Sequence, residues 1–272
     1  MRCLYVDMDG TLLGPNASLL TGADGRFSAL GVRALEACAR AGAEVVIYSG
    51  RRQGSVFEAA RLIGSSAYIF ELGCGLVVDG ELEWITDGLE PSDDAGSIYA
   101  QIEAAGAAAL VLAHFAGRLE YHTPWSAGRE VSHLFRGEVN LAESEAVLDA
   151  AGLGWLRLVD NGVIHEAASL MPALPRVHAY HLIPAGASKS RAVARHMQAR
   201  GYAREECIAA GDSREDMDAA QVVGTFWLMA NALQRDATLA ADVSGRERVR
   251  IATEGYGAGV YEAVVTTLAE QR

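Results

Sequence analysis

Near the start of the chain, Asp7-Met8-Asp9-Gly10-Thr11 places two carboxylates one residue apart. They follow Cys3-Leu4-Tyr5-Val6, a short apolar run that reads as a buried strand. Residues i and i+2 of a strand share a face, so both acids can point at one small volume. Like charges that close resist ionising together, and a divalent cation would relieve the conflict. Gly10 permits the backbone to turn, and the Thr11 hydroxyl can bond a nearby anion. The same residues also suit a plain turn or cap, because Asp bonds its own backbone. A calcium loop fits less well, since the later ligand run and closing Glu of that motif are missing.

Three further groups bear on that choice. Lys189 is the only lysine of the chain, and every other strongly basic side chain is arginine. Ser188 suits a helix N-cap and Gly201 a C-terminal stop, so Lys189 falls in a first helical turn. A cation there opposes the helix dipole unless an anion binds, whereupon helix start and ammonium both attract it. Ser49-Gly50-Arg51 closes a strand and opens a helix, offering a hydroxyl and outward backbone N–H groups to a phosphate oxygen. Gly211-Asp212-Ser213-Arg214-Glu215-Asp216 also follows a strand. Ser213 and Asp216 fit a capping box, but capping leaves Asp212 unexplained. In a parallel sheet such strand ends share one edge, where ligands bind. Asp7, Asp9, Ser49, Lys189 and Asp212 are expected to converge there. Their oxygen donors suit magnesium.

The elements that must position these groups alternate strand and helix. Strands are expected at Glu44–Tyr48 and Ala67–Phe70, with helices at Ser28–Ala41 and Val56–Ile63. From about Leu82 the rhythm changes. Trp84-Ile85, Ala109–Phe115, Leu119–His122, Trp155–Val159 and Val177–Ile183 read as strands, with a hairpin turn between Phe115 and Arg118. Ser97–Ala105 and Ala142–Ala151 read as helices. The first rhythm then returns, with a helix at Lys189–Arg200, strands at Cys207–Ala210 and Thr225–Met229, and a closing helix at Val260–Ala269. The expected fold is α/β: a doubly wound, Rossmann-like parallel sheet core (residues 1–81 and 184–272) with an inserted α+β cap domain (residues 82–183).

Composition narrows the function classes. The chain has 272 residues, half of them hydrophobic, with 23 basic and 35 acidic side chains and a net charge of -12. No basic run suggests a nucleic-acid face, and no apolar stretch of about 18 residues suggests a membrane span. The start runs straight into a strand without a charged-then-apolar leader, so a soluble cytoplasmic protein is expected. Cys3, Cys38, Cys74 and Cys207 show no paired metal spacing and read as buried free thiols. Gly73-Cys74-Gly75 lacks the third glycine and helix of a dinucleotide fingerprint.

Together the four motifs, in order, resemble the haloacid dehalogenase superfamily of aspartate-nucleophile phosphatases. The large insertion between the second and third motifs resembles the subclass with an α/β cap, which includes phosphatases of mannosyl-3-phosphoglycerate and sucrose phosphate. The resemblance implies Asp7 as nucleophile and Asp9 as general acid, then base. It also implies phosphoryl contacts from Thr11, Ser49, Gly50 and Lys189. Mg2+ would be held by Asp7, the Asp9 backbone carbonyl and Asp212, with Asp216 behind. The implied partner is a small phosphorylated sugar or sugar-acid. Phosphosugar mutases of the same subclass are an alternative, as is a catalytically idle sugar-phosphate-binding protein. Glu215 and Leu72 depart from the Asn that many relatives carry at those places. In the cap, Arg129, His133 and Arg136 fall at i, i+4 and i+7 of an expected helix and form a candidate substrate-binding face. His165 and Glu166 are weaker candidates.

Overall fold

The computed structural model describes residues 1–164 and 174–271. His165 and Glu166 lie outside the described residues. In chain order the elements are β1 (Cys3–Val6), α1 (Leu30–Arg40), β2 (Glu44–Tyr48), α2 (Gln53–Ile63), β3 (Ala67–Phe70), β4 (Gly75–Val78) and β5 (Glu81–Trp84). Next come α3 (Ile98–Ala104), α4 (Ala107–His114), β6 (Leu119–Tyr121), β7 (His133–Gly137), α5 (Leu141–Ala150), β8 (Leu156–Val163) and β9 (His178–Pro184). The chain ends with α6 (Lys189–Arg200), β10 (Cys207–Gly211), α7 (Arg214–Met217), β11 (Thr225–Leu228), α8 (Ala230–Arg235), α9 (Leu239–Val243), β12 (Val249–Ile251) and α10 (Tyr256–Glu270).

Two compact units divide the chain. Met1–Glu83 and Lys189–Arg272 form one, and Trp84–Ser188 the other. The first is built on a sheet of order β12-β11-β10-β1-β2-β3-β4-β5. From β12 to β3 the strands run parallel, while β4 turns back antiparallel on β3. Strand β1 sits in the middle and is buried along its whole length. That explains its unbroken apolar run, because a central parallel strand is covered on both faces. On one face Leu4, Val6, Ile208 and Ala210 pack with Ala34 and Cys38 of α1 and Val260, Ala263 and Val264 of α10. On the other, the Tyr5 hydroxyl pairs with His196 of α6 at 2.8 Å. All four cysteines are free and buried.

The second unit holds a four-stranded antiparallel sheet, order β6-β7-β9-β8. Two expectations fail in this unit. The stretch expected as a strand at Ala109–Phe115 is helix α4, so the Phe115–Arg118 turn links helix to strand and is no hairpin. An uninterrupted apolar run has no periodicity to read, and the alanines of Ala107–Leu112 favour helix. Conversely, the stretch expected as a helix at Gly128–Arg136 ends in strand β7, paired with β9 from His133↔Leu182 to Gly137↔His178. Long-range pairing with a distant strand overrides the local helical spacing. Among the described residues, no helix is long and apolar enough to cross a membrane.

Candidate active site

Three neighbouring parallel strands deliver the polar groups to one edge. Val6 is in register with Ile47 and Ala210, so Asp7, Ser49 and Asp212 all emerge at the carboxyl ends of β1, β2 and β10. Lys189, the first residue of α6, reaches the same place. Its Nζ donates to Asp7 Oδ1 at 2.8 Å and to Asp216 Oδ1 at 2.6 Å. It is 1% exposed and lies 4.8 Å from the centre of the Tyr48 ring. A lone ammonium this deep would lose its proton, yet two carboxylates and an aromatic face surround it. Burial works against the charge, but Asp216 and Asp7 outweigh it and hold Lys189 above its usual range. Burial pushes Asp7 up to about 7, against the pull of the Lys189 ammonium.

Asp216 serves two structures at once. One oxygen holds Lys189, and Oδ2 accepts from Ser213 Oγ (2.7 Å), Ser213 N (3.0 Å) and Asp212 N (3.1 Å). The Ser213 hydroxyl accepts in return from Asp216 N, completing the capping box of α7. Gly211 makes this possible, since a Cβ there would stand 2.3 Å from Asp216 Cβ. Gly10, at φ +83°, plays the same part on the other side, for a Cβ would stand 2.1 Å from Asp212 Oδ2. Glu215 is buried and accepts from the Lys189 backbone N–H at 3.4 Å, so it caps the start of α6.

The other expected residues take the following partners. Thr11 is fully buried and its hydroxyl donates to Asp212 Oδ1 at 3.2 Å. That turns it away from a phosphoryl contact and toward fixing a carboxylate. Ser49 is also buried, and its Oγ accepts from the Arg51 backbone N–H at 3.2 Å. The Asp9 side chain is half exposed and gripped by Arg51, Nε to Oδ2 and Nη2 to Oδ1, both at 2.6 Å. Leu72 is fully buried at φ 58°, and its N–H donates to the Ser49 carbonyl at 3.1 Å. This left-handed backbone is one that Asn tolerates better than Leu.

The cap candidates do not form one cationic face. His133 and Arg136 lie on β7, where an odd separation sends side chains to opposite sides. Arg136 Nε donates to Glu120 Oε1 at 2.8 Å. Arg129 is buried, donating to Ser132 Oγ and the Trp125 carbonyl. His133 is fully buried and stacked on Tyr99, with ring centres 3.7 Å apart.

Two residues at the site carried no sequence signal. Arg235, at the end of α8, ion-pairs with Asp212 Oδ2, and burial lowers its pKa. Asn231 donates from Nδ2 to the Gly10 carbonyl at 2.8 Å and accepts from the Tyr256 N–H at 2.9 Å. It thereby ties the first loop to the starts of α8 and α10. Asn231 does stand just beyond the carboxyl end of β11, the place where a parallel sheet puts its ligand groups.

The donor set fits a hard divalent cation. Asp7, Asp212 and Asp216 each offer a carboxylate oxygen, all within 4.8 Å of one another. Oxygen-only carboxylate donors of this kind suit magnesium.

Residues 176–247 match the family model of haloacid dehalogenase-like hydrolases. No curated protein matches the sequence. Solved structures match along almost the whole chain. The sucrose-phosphatase of Synechocystis sp. PCC6803, in complex with sucrose and phosphate, aligns at TM-score 0.66 and 14% identity, covering 98% of each chain. A haloacid dehalogenase-like hydrolase from Bacteroides thetaiotaomicron aligns at 0.58 and 15%, covering 97% of this chain and 98% of the other. A subclass IIB sugar phosphatase of the same superfamily aligns at 0.60 and 14%, covering 100% and 98%. The family match covers residues 176–247, and the solved structures share this chain's fold along nearly its whole length.

Proposed function

We propose that the chain is a magnesium-dependent phosphatase that hydrolyses a small phosphorylated sugar or sugar-acid through an aspartyl-phosphate. The observation that carries this reading is the buried Asp7 carboxylate, 2.8 Å from the Lys189 ammonium at the carboxyl end of the central strand. An anionic nucleophile meets an anionic phosphate only where fixed positive charge offsets the repulsion, and Lys189 supplies it without reorganising.

In the first half-reaction an Asp7 oxygen attacks phosphorus while the bond to the ester oxygen breaks. Asp9 gives its proton to the departing alkoxide. In the second, Asp9 takes a proton from water, the water oxygen attacks phosphorus, and the bond to Asp7 breaks to release phosphate. Ser49, the Gly50 backbone and Lys189 hold the phosphoryl oxygens. Thr11 and Asn231 hold the loop and Asp212 in register. Arg51 aims Asp9 and yields it when substrate enters. Magnesium would be held by Asp7, Asp212 and the Asp9 backbone carbonyl with Asp216 behind, and when bound it neutralises charge on the phosphoryl oxygens.

The test is phosphate release across a panel of phosphomonoesters with and without magnesium. Turnover of sugar or sugar-acid phosphates that vanishes with chelator supports the reading. Absence of release from every ester, with magnesium present, contradicts it. Asp9 has its own signature. Asp9→Asn should lower turnover of alkyl phosphates by about 10²-fold or more. With an aryl phosphate, whose leaving group needs no proton, it should give one equivalent of phenol in a burst and then stall. Equal losses on both ester types, with no burst, would remove Asp9 from the proton-carrying role.

A further inference from the structure

At the opposite edge of the same sheet, three metal-ligating side chains meet and a fourth stands beside them. Cys207, Cys3 and Glu44 open strands β10, β1 and β2, and are direct Cα partners across the three. Aligned residues of a parallel sheet share a face, so their side chains form one row. His196 of α6 closes over that row. The donor atoms of Cys3, Glu44 and His196 all lie within 4.8 Å of one another. Cys207 stands beside Cys3 as its partner across the strand pair.

The imidazole gives the second indication. His196 is completely buried, yet its Nε2 has no hydrogen bond, with Glu44 Oε2 standing 3.6 Å away. A buried polar nitrogen without a partner costs free energy and calls for an explanation. Its other nitrogen, Nδ1, is 2.8 Å from the Tyr5 hydroxyl. Tyr5 is itself fully buried. That is the supporting arrangement of a metal-bound histidine. With Nδ1–H donating to Tyr5 Oη, Nε2 would keep a lone pair facing the cluster.

We infer that the clustered Cys3, His196 and Glu44, with Cys207, the strand partner of Cys3, as fourth ligand, form a structural zinc site separate from the carboxylate cluster. Two sulfurs, one imidazole and one carboxylate are donors that zinc takes in tetrahedral geometry. Zinc–sulfur distances near 2.3 Å and zinc–nitrogen distances near 2.0 Å place tetrahedral ligands roughly 3.3–3.8 Å apart, a range that includes the 3.6 Å between His196 and Glu44. Binding releases the two thiol protons to solvent, leaving two thiolates, a carboxylate and a dication with net charge -1. Arg200 answers that charge, its Nη2 donating to Glu44 Oε1 at 3.1 Å, and Tyr202 Oη donates to Oε2 at 2.9 Å. The two sulfurs come from segments before and after the second unit. The site therefore clasps the first strand to the segment that returns after the second unit. Unlike the carboxylate cluster, it selects a soft-tolerant metal over magnesium.

The experiment uses full-length protein stripped with chelator and then titrated with zinc and, separately, cobalt(II). One equivalent of zinc is expected per chain, with a sulfur-to-cobalt charge-transfer absorption. Melting temperature should rise by roughly 5–10 °C at a hundredfold excess of zinc over Kd. Cys3→Ser and His196→Gln should abolish both signals, while Asp212→Asn should keep them. Wild-type protein lacking the sulfur-to-cobalt band overturns the site whether or not the variants fold. Stoichiometric zinc that survives in a folded Cys3→Ser variant, or is lost in Asp212→Asn, also overturns it.

Discussion

Asp7→Asn is expected to reduce phosphate release by about 10³-fold or more, with the melting temperature unchanged or raised. Loss of a covalent nucleophile leaves only what binding and charge stabilisation provide. The amide keeps the shape of the carboxylate, so the substrate pocket stays formed. Stability should not suffer, because Lys189 keeps Asp216 at 2.6 Å as a counter-ion. Asp7 itself is expensive to hold, since burial pushes its pKa up to about 7. Release of phosphate by the variant at near wild-type rate, in a folded protein, would exclude Asp7 as the attacking group.

Lys189→Met should abolish turnover and also destabilise the chelator-treated protein by about 3–5 kcal/mol, as removal of one partner of a buried ion pair does. The methionine fills similar volume, so the loss reads charge and not a cavity. Two buried carboxylates, Asp7 and Asp216, would then face each other without the ammonium between them. Adding Asp7→Asn should recover part of that stability but none of the activity. Recovery of neither would point to a packing role for Lys189. This split separates it from surface pairs such as Arg40–Glu36, whose loss is worth at most about 1 kcal/mol.

Much of the first unit was legible because its elements obey local rules. Glu44–Tyr48, Ala67–Phe70 and Lys189–Arg200 have the expected limits, each bounded by turn or cap residues. The convergence of Asp7, Ser49, Lys189 and Asp212 followed from one topological fact, that parallel strands end on a common edge. What escaped was set by distant partners. β7 is a strand because β9 lies beside it, and α4 a helix because an apolar run without period admits either state. Arg235 looked like an ordinary arginine closing a short helix, and only the fold brings it to Asp212. Thr11 lost its expected hydroxyl contact for a similar reason: Asp212, two hundred residues on, takes the bond. The grouping of Cys3, Cys207 and His196 was likewise invisible, since strand pairing and not spacing aligns the two cysteines.

The central claim is that phosphate passes through a covalent bond to Asp7. It is tested most directly by mixing wild-type protein and magnesium with a phosphate ester labelled in its phosphoryl group, quenching in acid within the first turnover, and mapping the label. The account predicts an acid-stable, hydroxylamine-labile acyl phosphate on the peptide that contains Asp7, formed before free phosphate and absent in Asp7→Asn. Label that appears in free phosphate at the full single-turnover rate with none on the protein, or that maps to another residue, would contradict it.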